Sequence, residues 1–141
     1  MVNNLGFNND GKTVNNIFGT NLHQVKKGTV YFKILHQNIR GLGNKAGELL
    51  SHLHPDSPQV LCLTEHHLHH VQLEKLHNGN YKLSAHYCRQ HHEKGGVAIF
   101  VHNSLVFSNI KIQQHCIDQD IEICAVKLPF GATNLCVLTL N

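Results

Sequence analysis

The residues best suited to chemistry stand just past the ends of two apolar runs. One run leads into His36-Gln37-Asn38-Ile39-Arg40-Gly41, and the other is Leu61-Cys62-Leu63-Thr64 followed by Glu65-His66. In an open α/β sheet, ligands bind beyond the carboxyl ends of neighbouring parallel strands. If the strands ending at Asn38 and Glu65 are adjacent, an amide and a carboxylate converge. A carboxylate there can hold a hard divalent cation such as Mg2+, and an amide can orient an anionic oxygen. Two plainer roles compete: Asn38 can support a glycine-containing loop, and Glu65 can cap the helix that follows. One carboxylate alone is a poor metal site.

Histidine is the other unusual feature, with 14 of 141 residues. His66, His67, His69, His70 and His77 fall on the segment expected to be helical after Glu65. His66 with His70 has the i, i+4 spacing that can grip Zn2+. The stretch His66-His67-Leu68-His69-His70 lacks a glutamate at its second position, so the HExxH pattern is absent, and no Cys-pair spacing accompanies it. The expectation is a solvated, histidine-rich helix face, and the same reading applies to His91-His92 in the loop before Gly95.

These side chains need strands and helices to place them. Thr29 to His36 is β-branched and aromatic over strand length, and Arg40 to Asn44 breaks it with two glycines. Ala46, Leu49, Leu50 and Leu53 recur at helical spacing, which predicts a helix over 45–53, closed by Pro55 and Pro58. Gln59 to Thr64 is a continuous apolar run, the form of a strand buried on both faces. Leu68, Val71, Leu73 and Leu76 predict a short helix ending before Asn78-Gly79. Strands follow at Tyr81 to Tyr87, Gly95 to Val101, Ile110 to Ile112, Ile121 to Leu128 and Asn134 to Leu140, the last two joined through Pro129 to Thr133. The β-α-β-α order followed by antiparallel strands predicts a mixed, largely antiparallel α/β sheet with helices on one face. A chain whose last residue follows directly on a strand leaves the other face of a single sheet bare.

Composition narrows the function classes. A chain of 141 residues is about one domain, which excludes a multidomain enzyme. Its apolar runs are far short of the roughly 20 residues of a membrane-spanning helix, so no membrane partner is expected. Residues 1–28 are rich in Asn and Gly and read as a polar, poorly ordered leader, with the domain over 29–141. Residues 1–47 carry six basic side chains against one acidic, a net +5, and residues 48–141 carry six against eight, a net −2. A basic front end suits a polyanion such as DNA, or simply a solvated surface. Five cysteines, an odd number without CxxC spacing, read as reduced and mostly buried thiols of an intracellular protein. Lys26-Lys27 is too short to assign a nuclear address, so nucleus and cytoplasm stay open.

Three blocks in order, Gln37 to Leu42 (QNIRGL), Leu61 to Leu68 (LCLTEHHL) and Gly95 to Val101 (GGVAIFV), carry a resemblance. The segment from Lys33 to about Val101 resembles the N-terminal half of the endonuclease/exonuclease/phosphatase family. It is most similar to the apurinic-endonuclease-like domain of non-LTR retrotransposons. The resemblance implies a four-layer α/β sandwich and hydrolysis of phosphodiester bonds with Mg2+. It makes Glu65 the metal-binding carboxylate and Asn38 the amide that positions phosphate. Gly95-Gly96 would open a core strand beside the site, and Arg40 and Arg89 are further candidates for contacting phosphate, or are ordinary surface arginines.

The departures from the family pattern matter equally. None of the family's Tyr-Arg-Pro-like, Gly-Asp-Phe-Asn-like or Ser-Asp-His-like blocks occurs in the 141 residues. Members of a catalytic unit act together, so losing one typically lowers the rate by orders of magnitude. The expectation is a truncated, transposon-derived endonuclease domain that is inactive alone. The alternatives are an inactive nucleic-acid- or partner-binding module and a non-functional remnant. Half a sandwich exposes apolar surface at roughly 25 cal/mol per Å², against a net stability of about 5 to 15 kcal/mol. Self-association through an uncovered sheet face is therefore expected.

Overall fold

A computed structural model of the chain describes residues 15–17, 20–28, 30–45, 49, 57–76 and 79–141. Most of the helix expected over 45–53, together with His77 and residues 1–14 of the leader, lies outside the described residues. The first sheet has six strands in the order β1-β2-β3-β4-β6-β5. Its members are β1 (Asn15–Ile17), β2 (Thr20–Lys27), β3 (Val30–Asn38), β4 (Val60–Thr64), β5 (Tyr81–Tyr87) and β6 (Val97–His102). Among the described strands only β3 and β4 run parallel, with Ile34 opposite Val60 and Asn38 opposite Thr64. That pairing brings the loops that follow Asn38 and Thr64 to the same end of the sheet. A short helix, α1 (His70–Glu74), follows β4.

The expected strands are present, although the one read at Ile110 to Ile112 lies instead at Ser108–Ile110, and two further differences appear. Residues Thr20–Lys27, assigned by composition to a leader, form β2, which is hydrogen-bonded along β3 from Thr20–Gln37 to Lys27–Val30. The second difference is larger. The strands after β6 do not extend one sheet but build another, of order β7-β8-β9, from β7 (Ser108–Ile110), β8 (Ile123–Phe130) and β9 (Thr133–Leu140). β8 and β9 join through Gly131 and Ala132, and Gly131 has φ of 60°, the left-handed backbone that a tight two-residue hairpin loop requires.

The physical reason for two sheets is the burial pattern. Cys124, Val126, Leu128, Phe130 and Val137 project from one face of the second sheet. They pack on Phe32, Val60, Cys62, Ala85, Val97, Ile99 and Val101 of the first. Facing sheets with alternating inward residues form this kind of core. The opposite face of the first sheet buries Leu35, Ile39, Leu61, Leu63, Ala98 and Phe100 beneath Leu42 and Leu73. Every residue of β4 is buried, as its unbroken apolar run predicts. The architecture is thus a partial α/β sandwich, and the expectation of a single sheet with one bare face is corrected. Exposed apolar side chains include Leu138 and Leu140 on the outer side of the second sheet, 57% and 58% exposed, as well as Val71 and Val106 outside both sheets.

The cysteines are all free. Cys62 and Cys124 are buried as expected, and burial pushes the Cys62 thiol up to about 12. Cys136 is exposed on β9, unlike the expected buried thiols. No helix among the described residues is long and apolar enough to cross a membrane.

Candidate active site

The loops leaving β3 and β4 are zipped together by backbone hydrogen bonds. Ile39 N donates to Thr64 O at 3.0 Å, Gly41 N to Glu65 O at 2.7 Å, and Leu42 N to His66 O at 2.9 Å. On the other side, His67 N donates to Gly95 O at 2.9 Å. This zipper brings the two sequence-predicted residues together: Asn38 Nδ2 donates to Glu65 Oε1 at 2.9 Å. Arg40 N donates to Asn38 Oδ1 at 3.3 Å, which fixes the orientation of the amide. Lys45 Nζ anchors the loop by donating to the carbonyls of Ile39 and Arg40 at 3.0 and 3.3 Å.

Backbone strain concentrates here. Among the described residues four non-glycines have positive φ, and three are Arg40, Glu65 and His67, at 46°, 54° and 56°. Such a conformation costs about 1 kcal/mol or more per residue and persists where the surroundings enforce it, often at functional sites. Glu65 therefore neither continues its strand nor caps α1, which begins five residues later. Its carboxylate is turned toward Asn38 instead.

An open cleft of about 380 Å³ lies beside Glu65, lined by Arg40, Glu65, His67, Arg89, Lys94, Gly95 and Asn141. Three permanent cations face one carboxylate there, so the wall attracts anions. Both predicted arginines, Arg40 and Arg89, line the cleft. Glu65 Oε1 is engaged by Asn38, while Oε2 lies 3.8 Å from His67 Nε2, and the side chain is 34% exposed. An exposed all-oxygen donor suits a hard cation that keeps most of its water and takes further oxygens from a substrate. Among the described residues no group of three or more His, Cys, Asp or Glu side chains converges to hold a metal.

Glu122 is the residue that sequence reasoning missed. It precedes β8 and is 1% exposed. Its Oε1 accepts a hydrogen bond and ion pair from Arg89 Nε. Its Oε2 accepts from Gly96 N at 2.9 Å and from Asn141 Nδ2 at 2.7 Å. Burial pushes its carboxyl up, but the bonds from Arg89, Asn141 and Gly96 and the Arg89 charge outweigh this and hold it below its ordinary value. The available signal was an acidic residue inside an otherwise apolar strand run. Asn141 carried no signal.

The histidines are placed differently from the expected helix face. His66 precedes α1 and is fully buried. Its Nδ1 accepts from Leu68 N at 3.0 Å, so the proton sits on Nε2, which donates to Tyr87 O at 3.2 Å. Burial holds this imidazole down at about 4. The ring fills the space where Gly96 has no side chain: a Cβ there would lie 2.5 Å from His66 Cε1, and φ is 88°. Gly95 is likewise covered, by Arg89, whose Nη2 would lie 2.6 Å from a Cβ. The absent side chains thus admit His66 and Arg89, which is the close packing that the two glycines predict.

His66 and His70 do not form the Zn2+ pair that their spacing allows. His70 instead meets His86 of β5, Nδ1 to Nε2, at 2.8 Å. Ring centroids 4.9 Å apart and a 20° interplanar angle mean that the rings meet edge to edge, nearly in one plane. Their lone pairs point at each other and share one proton, which is not a chelating arrangement. His69, His70, His91 and His92 are exposed, as expected of a solvated surface.

No curated protein matches the chain. The family model for the endonuclease/exonuclease/phosphatase family matches residues 35–140, which takes in both loops, both glycines, β4 to β6 of the first sheet and the whole second sheet. With that match over most of its length and a partial sandwich of the same architecture, the chain belongs to the endonuclease/exonuclease/phosphatase family.

Proposed function

We propose that this chain is part of an apurinic-endonuclease-like domain of the non-LTR retrotransposon type, acting on the phosphodiester backbone of DNA. The family fold is that of nucleases and phosphodiesterases, and the family generally uses a divalent metal. The observation carrying the reading is the Asn38–Glu65 pair, held at 2.9 Å across the ends of the parallel strands β3 and β4 by strained loops that hydrogen-bond to each other. Glu65 would hold Mg2+, which when bound would supply Lewis-acid polarisation of a phosphoryl oxygen. Asn38 orients that phosphate through its amide, and Arg40 and Arg89 meet its charge. Among the described residues no Asp-His pair reaches Glu65, so the chain by itself is a poor catalyst. Its origin is a transposon-derived reading frame, the reading favoured by the three sequence blocks.

The test is nicking of supercoiled plasmid by the purified chain, with Mg2+ or EDTA, beside Glu65→Ala. Nicking that needs both Mg2+ and Glu65 supports the site assignment and refutes the inactivity. Absence of Glu65-dependent nicking leaves the second reading, a nucleic-acid-binding module, which the cationic cleft favours. Salt-sensitive DNA binding that survives Glu65→Ala would mark that module, since phosphate contacts release counterions without needing a metal.

A further inference from the structure

We infer that Glu122 is a positioning residue: it holds Arg89 and Asn141 against the wall of the Glu65 cleft, so that Arg89 presents its free guanidinium edge to a nucleic-acid phosphate. The inference rests on the reading of this cleft as a phosphodiester site. A carboxylate this deeply buried stays charged only if it is fully compensated. Three donors from three separate parts of the chain do so: Arg89 after β5, Gly96 before β6, and Asn141 after β9. The main chain repeats the link, with Asn141 N donating to Glu122 O at 2.9 Å and Glu122 N to Asn141 O at 3.2 Å.

Arg89 uses only Nε in this contact. Its terminal nitrogens make no other hydrogen bond among the described residues, and the guanidinium lies over Gly95 at the cleft wall. A guanidinium gripped on one edge is pre-organised to bind an oxyanion with the other, which a lysine cannot do with its single head. A buried ion pair is weak as a source of stability, because desolvation offsets most of the attraction. Its effect here is orientation: a cation that would otherwise sweep through solvent is fixed beside Glu65.

The test is fluorescence anisotropy with a short duplex DNA, in EDTA at low salt, on the full chain. The comparison covers wild type, Arg89→Ala, Arg89→Lys, Glu122→Gln and the double variant Glu122→Gln/Arg89→Ala. Arg89→Ala and Arg89→Lys should each weaken binding about tenfold, the size of one charge-assisted contact. Glu122→Gln should weaken it severalfold, and the double variant should bind no worse than Arg89→Ala. Electrostatics alone predicts the opposite for Glu122→Gln, because removing a buried negative charge raises affinity for a polyanion. Wild-type affinity in Arg89→Lys, unchanged or tighter binding by folded Glu122→Gln, or no DNA binding by wild type would each overturn the inference. If Glu122→Gln fails to melt cooperatively, Arg89→Lys decides. Because no metal is present, this result is independent of whether Glu65 supports nicking.

Discussion

Acid should weaken this fold through one histidine. His66 is fully buried, and its neutral tautomer satisfies both ring nitrogens, Nδ1 accepting from Leu68 N and Nε2 donating to Tyr87 O. A second proton would displace the Leu68 bond and put a charge where Gly96 leaves no room for water. The folded value near 4 lies below the ordinary 6.5. Above about pH 6.5 the ring is neutral in both states and titration contributes nothing. As pH falls from there the unfolded chain gains a proton that the folded chain refuses, so stability declines until the folded value is passed. Linkage between these two values gives a loss of about 2.5 kcal/mol on going from about pH 7.5 to about pH 4.5. That is a large share of a net stability of about 5 to 15 kcal/mol.

The measurement is urea denaturation at both pH values for wild type and His66→Gln. The variant starts less stable, but its pH-dependent loss should be smaller than that of wild type by about 2.5 kcal/mol. His36 and His86 are also held below their ordinary value, first by burial and then by a histidine neighbour, His23 or His70. Their losses have the same sign and cancel in the comparison. An equal pH-dependent loss in the two proteins would refute the argument.

Gly96→Ala should destabilise by about 3 kcal/mol or more, because an L side chain is strained at φ of 88° and its Cβ would press on the His66 ring; thermal melting reads this directly. Thr139→Val should stabilise by about 1 kcal/mol. The Thr139 Oγ1 is a buried side-chain atom with no hydrogen-bond partner among the described residues, and an unchanged or lower melting temperature would show that it has one. Leu138→Lys with Leu140→Lys should shift the chain toward monomer in light scattering, by charging the exposed outer row of the second sheet. A wild type that is already monomeric would sink that expectation. Asn38→Ala should reduce any Glu65-dependent nicking by about tenfold or more while leaving the fold intact, since Asn38 is exposed and its loss removes only its bond to Glu65 and the long bond from Arg40 N.

The chain's own pattern determines its local elements and the ends where chemistry can occur. Runs such as Val60–Thr64 and Val97–His102 declare strands because β-branched and apolar side chains fit a buried pleat. Glycines after Asn38 and before Val97 mark where each strand must turn. Asn38 and Glu65 were legible for that reason: each is the polar residue at the boundary of an apolar run. Which runs become neighbours depends instead on packing between distant segments. Strands of similar composition can extend one sheet or face it as a second, and long-range packing of Val126, Leu128 and Val137 on Val60, Val97 and Ile99 makes that choice. The same holds for the site's support. Arg89 and Glu122 meet across 33 residues of chain, and His66 is buried because Gly96, brought in by β6, leaves room for its ring. Periodicity reports the environment along one element, whereas a clamp or a buried imidazole depends on the partner that another element supplies.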